Sequence, residues 1–190
     1  NPARLAEHRV SVSSVRAGNV IGGGDWAADR IVPDCIRALT EGKSIPVRNP
    51  DAIRPWQFVL EPLSGYLALA QRQWAEPAVY AESFNFGPQP SAALPVRELA
   101  NRVVEAWGSG RWEATGVGGP HEAKFLKLDT AKAQALLDWR PVYSAGEAIR
   151  ETVLWYKARS GKAFDALDTS RQQLSAFTRR ARELKLPWAS

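Results

Sequence analysis

The chain of 190 residues has no methionine, a single cysteine (Cys35) and only two histidines, His8 and His121. A lone cysteine excludes an intrachain disulfide, and two histidines with one cysteine at these spacings cannot supply the four ligands of a structural zinc site. The missing methionine, initiator included, leads us to expect that residue 1 is not a translation start and that the chain is a piece of a longer protein. Long apolar runs are scarce as well. The most apolar charge-free one, 62–71, is about half of the ~20 residues that a bilayer span requires, so no membrane partner is expected. The opening Asn1-Pro2-Ala3-Arg4-Leu5-Ala6-Glu7-His8 lacks the apolar run and cleavage site of a secretory signal, and a cytoplasmic location is the default.

The net charge of +5 invites a nucleic-acid reading, but its distribution argues against one. Residues 157–190 hold eight basic groups against three acidic ones, which leaves residues 1–156 with seventeen of each. The body is neutral. The basic segment reads as a helix with Leu167, Leu174, Phe177, Ala181 and Leu184 near helical spacing, and its charges read as a solvated face. We therefore expect an α/β body over 1–160, a basic helical tail over 161–190, and no nucleic-acid partner.

Apolar residues make up 45% of the chain and tryptophan occurs eight times, which supplies large anchors for a core or a ligand pocket. The alternation over 9–15 predicts a strand that runs into a loop over 16–21. A helix follows, with Asp29 as its cap, Pro33 in its first turn, Ile31, Cys35, Ile36 and Leu39 on one face and Gly42 as its stop. Short strands are expected at 45–48, 56–60 and 83–86. Pro62 opens a helix carrying Leu63, Tyr66, Leu67, Ala70 and Trp74. Pro95 opens another, with Val96, Leu99, Val103 and Trp107 inside and Gly108 as its end. Further strands are expected at 111–114 and 124–128, around a glycine-rich loop over 116–119. Asp129 caps a short helix, and Ser144 with Glu147 forms a capping box for a helix to Arg159. Alternating helices and short strands make the fold class mixed α/β.

Gly22-Gly23-Gly24-Asp25-Trp26-Ala27 formally fits the dinucleotide pattern G-x-G-x-x-A. Asp25 would place a carboxylate where the pyrophosphate sits, and Trp26 is bulky where the backbone must approach closely, so no cofactor residue is assigned. A plain glycine-rich turn competes with an anion nest in which these glycines and the Asn19 amide converge on a phosphate. Arg54, held between Ile53 and Pro55-Trp56, suits bidentate phosphate recognition or a structural ion pair. His121 follows Gly118-Gly119-Pro120 and would donate to a phosphate or lie exposed. No Tyr-x-x-x-Lys and no G-x-S-x-G occurs, so no catalytic residue is assigned to this chain.

Several segments together carry a resemblance. Val15-Arg16-Ala17-Gly18-Asn19-Val20-Ile21-Gly22-Gly23-Gly24-Asp25-Trp26, Arg54-Pro55-Trp56 ahead of Leu60-Glu61-Pro62-Leu63-Ser64-Gly65-Tyr66, Phe84-Asn85-Phe86-Gly87-Pro88, and His121-Glu122-Ala123 with Leu126-Lys127-Leu128-Asp129 resemble, in order, the CDP-glucose 4,6-dehydratase family of extended short-chain dehydrogenases/reductases. The resemblance implies the end of a Rossmann-type parallel sheet plus the small mixed α/β substrate-binding domain. It implies conversion of CDP-D-glucose to CDP-4-keto-6-deoxy-D-glucose with enzyme-bound NAD, and a parent that forms a homodimer. By the same resemblance Asn19 contacts the substrate diphosphate and Arg54 clamps it, Arg30 and His121 lie along the nucleotide, and Trp26 and Trp56 wall the sugar or cytosine pocket, with core packing as the competing role for both. The family's NAD fingerprint, Tyr-x-x-x-Lys pair and dehydration acid and base belong to an N-terminal Rossmann half that this stretch does not contain. The alternatives are a stand-alone nucleotide-sugar binding module and a dTDP- or UDP-sugar dehydratase or epimerase of the same superfamily.

Overall fold

Gly18 divides into two strands what the pattern presents as one strand and a loop. A computed structural model describes residues 4–89, 93–116, 128–161 and 163–189. After a short helix α1 (Leu5–His8), β1 (Ser14–Ala17) pairs in parallel with β5 (Ser83–Phe86), and β2 (Asn19–Ile21) pairs in parallel with β4 (Ile53–Phe58). The chain changes sheets at Gly18, where a Cβ would lie 2.9 Å from the Pro55 carbonyl oxygen. The strand expected over 9–15 therefore begins five residues late. Ser11 and Ser13 explain the shift, because their hydroxyls donate to the carbonyls of Pro77 and Tyr80 and hold this stretch by side chains rather than by a ladder.

The strand expected over 56–60 is β4, which starts at Ile53 and gives up Leu60 to the next helix. Its first half pairs antiparallel with β6 (Ala93–Pro95), making a three-stranded sheet in the order β2-β4-β6. A third sheet joins β3 (Ile45–Val47) in parallel to β7 (Trp112–Ala114). The expected strand over 124–128 lies outside the described residues except for Leu128.

The helices are α2 (Ile31–Thr40), α3 (Leu60–Ala75), α4 (Val96–Trp107), α5 (Ala131–Leu137), α6 (Ala145–Arg159) and α7 (Ala166–Glu183). Asp29 does not cap α2. It takes a left-handed φ of 61°, which aspartate tolerates better than most residues, and its carboxylate pairs with Arg48. Gly108 ends α4 at φ 93°, and the Ser144/Glu147 capping box opens α6 as the spacing requires. Asp129 serves α5 from one position further out, accepting the Ala131 N–H at 2.9 Å.

One core gathers Cys35, Ile36, Ile45, Phe58, Leu99, Val103, Ile149 and Tyr156 between α2, α4, α6 and the β2-β4-β6 sheet. Phe177, Ala181, Leu186 and Ala189 belong to it, so the basic helix α7 packs its narrow apolar stripe on α6, with Phe177 5.2 Å from Tyr143 and stacked on Trp188 at 5.8 Å. A second cluster joins α3, β5 and α5 through Leu69, Phe84, Phe86, Ala133 and Trp139. Gly65 lets α3 lie directly on this cluster, since a Cβ there would meet the Phe86 ring at 2.3 Å. The opposite face of α3 is bare: Leu67 is 73% and Trp74 91% exposed. No helix among the described residues is long and apolar enough to cross a membrane.

Two links tie the clusters together. Gln57 Nε2 donates to the Phe86 carbonyl at 3.0 Å, bridging β4 to β5. The buried Glu61 carboxylate accepts the N–H groups of Val142 and Tyr143 at 2.9 and 2.7 Å, which fixes the turn entering α6. Burial pushes the Glu61 carboxyl from its ordinary 4.5 up to about 7, against the pull of these two N–H groups. The folded state thus holds a proton that the unfolded state has already released. The stability this group contributes is complete below pH 4.5 and is lost as pH rises through 7. Thermal melts across this window should show the wild type losing on the order of 1–3 kcal/mol relative to Glu61→Gln, which cannot titrate. Parallel pH profiles for the two proteins would contradict that account.

Candidate functional site

The parallel register of β2 and β4 sets Asn19 opposite Trp56. Period-two alternation then puts Asn19, Arg54 and Trp56 on one face of the sheet. These three residues line a cleft of about 820 Å³ with Arg30 at the start of α2, Arg48 after β3, Val96 at the start of α4, and the loop over 22–30. A cleft of this size matches a drug-sized or nucleotide-sized ligand.

Four of the six residues expected at a substrate site meet here: Asn19, Arg30, Arg54 and Trp56. Asn19 is half-buried, and its side-chain amide makes no hydrogen bond among the described residues. Arg54 is 7% exposed, and its guanidinium donates to the Ile53 carbonyl at 2.9 Å, which orients it along the strand. Trp56 is buried in the main core and also borders the cleft, so it packs and walls at once. Trp26 is not among the lining residues. Its ring stands edge-on to Tyr156 at 5.1 Å, and the Arg159 guanidinium lies 4.8 Å above it. His121 lies outside the described residues.

Arg48 and Asn49 are lining residues that the sequence reading passed over. The Ile45-Pro46-Val47-Arg48 strand was legible, but nothing in it signals that β3 ends at the cleft mouth. Three guanidinium groups and three carboxylates line the cleft. Arg30 donates to Asp25 at 3.4 Å, Arg48 donates to Asp29 at 3.1 Å, and Asp34 is held by Arg37 beside it. The first two pairs are solvent-exposed, where an ion pair contributes little, so either guanidinium can turn to a bound anion at small cost.

The glycine loop is held from below. Gly23 sits on the Trp155 ring so closely that a Cβ would lie 2.1 Å from it, and a Cβ on Gly22 would meet Val59 at 2.9 Å. These two glycines therefore serve internal packing, not the approach of a pyrophosphate to backbone. Together with the Asp25 carboxylate, this close packing weighs against a dinucleotide role for the G-x-G-x-x-A match. Among the described residues no group of three or more His, Cys, Asp or Glu side chains could hold a metal ion. Cys35 is fully buried, and its thiol is pushed up to about 12 by burial and by Asp34, which disfavours the thiolate.

No family model matches the sequence. The chain is 44% identical over 178 residues, 93% of its length, to CDP-glucose 4,6-dehydratase of Salmonella typhimurium, and it covers 49% of that protein. Its fold is similar to dTDP-glucose 4,6-dehydratase from Bacillus anthracis (TM-score 0.67, 20% identity, 82% of this chain and 48% of that one). It is equally similar to UDP-glucuronic acid 4-epimerase from Bacillus cereus (TM-score 0.67, 16% identity, 82% and 48%). The chain thus spans about half the length of the proteins it matches. Along nearly its whole length the chain is thus similar to about half of a CDP-glucose 4,6-dehydratase, and its α/β fold is shared with the two solved structures.

Proposed function

We propose that this chain forms the nucleotide-sugar half of a CDP-glucose 4,6-dehydratase, and that the cleft between β2, β4 and α2 holds the CDP-glucose diphosphate. The observation that carries this reading is the convergence of Asn19, Arg30 and Arg54 on one cleft from three separate elements. Arg54, buried and oriented by its own strand, clamps the diphosphate through charge-assisted hydrogen bonds. The Asn19 amide offers its N–H₂ to a phosphate oxygen. Arg30 and Arg48 leave their exposed aspartate partners for the remaining oxygens, and Trp56 presents an apolar wall. His121 is assigned to the nucleotide, while Trp26, which does not line the cleft, is assigned to packing against Tyr156 and not to a wall of the sugar or cytosine pocket. What the chain contributes to the reaction is binding, orientation of the sugar and exclusion of water. The reacting acid, base and redox groups, the NAD of the family included, belong to a part of the protein not represented in these residues.

That further part also explains two bare surfaces. Among the described residues β1 pairs only with β5, although parallel sheets are ordinarily covered on both faces and continued by further strands. The outer face of α3, with Leu63, Leu67 and Trp74, is exposed. We assign the edge of β1 and this helix face to contact with an N-terminal Rossmann half, in a parent that is a cytoplasmic homodimer.

Intact mass spectrometry of the native gene product should give about twice 20.9 kDa. A native mass near 20.9 kDa would make a free-standing binding module the better reading. The purified 190-residue chain, incubated with CDP-glucose and added NAD, should form no 4-keto product, and detectable product would place a catalytic set inside these residues. In the native protein, Arg54→Ala should weaken CDP-glucose binding about 10- to 100-fold by calorimetry, the loss expected for charge-assisted hydrogen bonds worth about 1.5–3 kcal/mol. Unchanged affinity would reassign Arg54 to a structural role. Tighter binding of dTDP- or UDP-glucose than of CDP-glucose by the wild type would shift the substrate to those nucleotides.

A further inference from the structure

The loop over 22–26 forms one wall of the cleft through Gly22 and Asp25, yet it contains no regular structure of its own. Its shape is set from outside, chiefly by the last turns of α6. Tyr156 Oη donates to the Asp25 carbonyl at 2.6 Å and approaches the Gly22 carbonyl at 3.4 Å. The neighbouring Trp155 ring lies under Gly23, and Arg159, one turn on, covers the outer face of Trp26. Arg37 of α2 completes the set by donating to the carbonyls of Trp26 and Ala27 at 3.1 and 3.3 Å.

We propose that Tyr156 is a positioning residue of the nucleotide-sugar site, its hydroxyl holding the 22–26 loop in the conformation that accepts the diphosphate-sugar. This rests on the reading of the cleft given above. Tyr156 itself is 2% exposed and lies behind the loop, so it acts through the backbone and not by touching substrate. The bond to the Asp25 carbonyl fixes one end of the turn formed by Gly22, Gly23, Gly24 and Asp25, with the same hydroxyl against the Gly22 carbonyl at the other end, and the three glycines would otherwise leave this stretch conformationally free. Holding that turn before ligand arrives removes an ordering cost from binding. Burial raises the phenol above its ordinary 10, so the hydroxyl remains a donor across the neutral range. The brace extends to the basic helix as well, since Trp155 Nε1 donates to Ser170 Oγ at 3.2 Å and its ring meets Phe164 edge-on at 5.1 Å. Through α6, the tail of the chain helps to shape the cleft.

The test compares wild type with Tyr156→Phe, which keeps the ring and its edge contacts with Trp26 and Trp155, in the protein purified from its native gene. Three readouts are taken: CDP-glucose affinity by calorimetry, KM and kcat in turnover, and amide hydrogen exchange of the 22–28 segment without ligand. The expected result is a five- to tenfold loss of affinity with a matching rise in KM, kcat within about twofold, an unchanged Tm, and faster exchange confined to the loop. Unchanged affinity and KM overturn the proposal, whatever the exchange shows. A fall in kcat alone also overturns it, because the residue would then act on the chemical step. If the wild type binds no CDP-glucose, the nucleotide-sugar reading fails on its own. The exchange measurement then still decides the tether: faster loop exchange supports it and unchanged exchange overturns it. Should Tyr156→Phe lower the Tm, Arg159→Gln, which loosens Trp26 from the solvent side, takes its place with the same expected pattern at smaller size.

Discussion

A carboxylate buried at the first turn of α3 decides where α6 begins, and the position of α6 decides the shape of the cleft. Glu61 accepts two successive backbone N–H groups, those of Val142 and Tyr143, that would otherwise be buried without partners at the turn before the Ser144 cap. Two adjacent donors need two acceptor oxygens, which a carboxyl offers and an amide does not, and this explains an acidic residue type at a position where burial opposes charge. Ser64, one turn further along α3, donates to the Glu61 carbonyl and accepts from Trp139 Nε1. The start of α3 is therefore bonded to both ends of the 139–143 turn. Once that turn is fixed, the capping box sets the first residue of α6, and eleven residues later Trp155 and Tyr156 arrive beneath the glycine loop.

The cleft pairs one rigid cation with two loosely held ones. Arg54 lies within the β2-β4-β6 sheet, where its conformational freedom is spent in folding, so contact with a ligand loses little further entropy. Arg30 and Arg48 stand at exposed element ends with aspartates as placeholders. The placeholders offset these two cations within the cleft lining. A diphosphate would displace two weak surface pairs and gain multidentate contacts in exchange, and the balance favours the ligand because only its contacts are shared with the buried Arg54.

Most helices were legible in the sequence because their ends carry the physics that makes them: Gly108 in a left-handed turn, Ser144 and Glu147 in reciprocal bonds, Pro95 just ahead of α4. The misplacements have particular causes. The strand over 9–15 shifted because serine hydroxyls found carbonyl partners in a turn some 66 positions away, which no local pattern announces. Asp29 failed as a cap because Arg48, distant in sequence, lies close in space. The sequence assigned no buried face to α3, and its core side is made of Ser64, Gly65, Ala68 and Leu69, with Gly65 permitting close approach to Phe86, while Leu63, Leu67 and Trp74 fall on the exposed face. For the site, Asn19, Arg30, Arg54 and Trp56 came from family-like wording, and only the fold brings them to one cleft, three of them through the register of β2 against β4 and Arg30 from the start of α2. Arg48 was missed for the same reason.

The three glycines show why a motif must be read with its neighbours. On paper they form a nucleotide-binding loop, and their spacing is compatible with one. In the fold, two of the three are glycine because tryptophan and valine side chains occupy the space where a Cβ would go. A bulky ring pressed on backbone is costly to accommodate and is matched by a compensating contact, here the Trp155–Tyr156–Trp26 edge-to-face series and the Arg159 cap. The loop is thus stiff where a pyrophosphate-binding loop must present free N–H groups to its ligand. Its outward side remains free, and what it presents there is the Asp25 carboxylate bonded to Arg30 at the cleft mouth. That arrangement suits a wall that orients a ligand bound by others, in keeping with the anion-binding role proposed for Asn19 and the arginines, and leaves the glycines to make room for the helix that holds them.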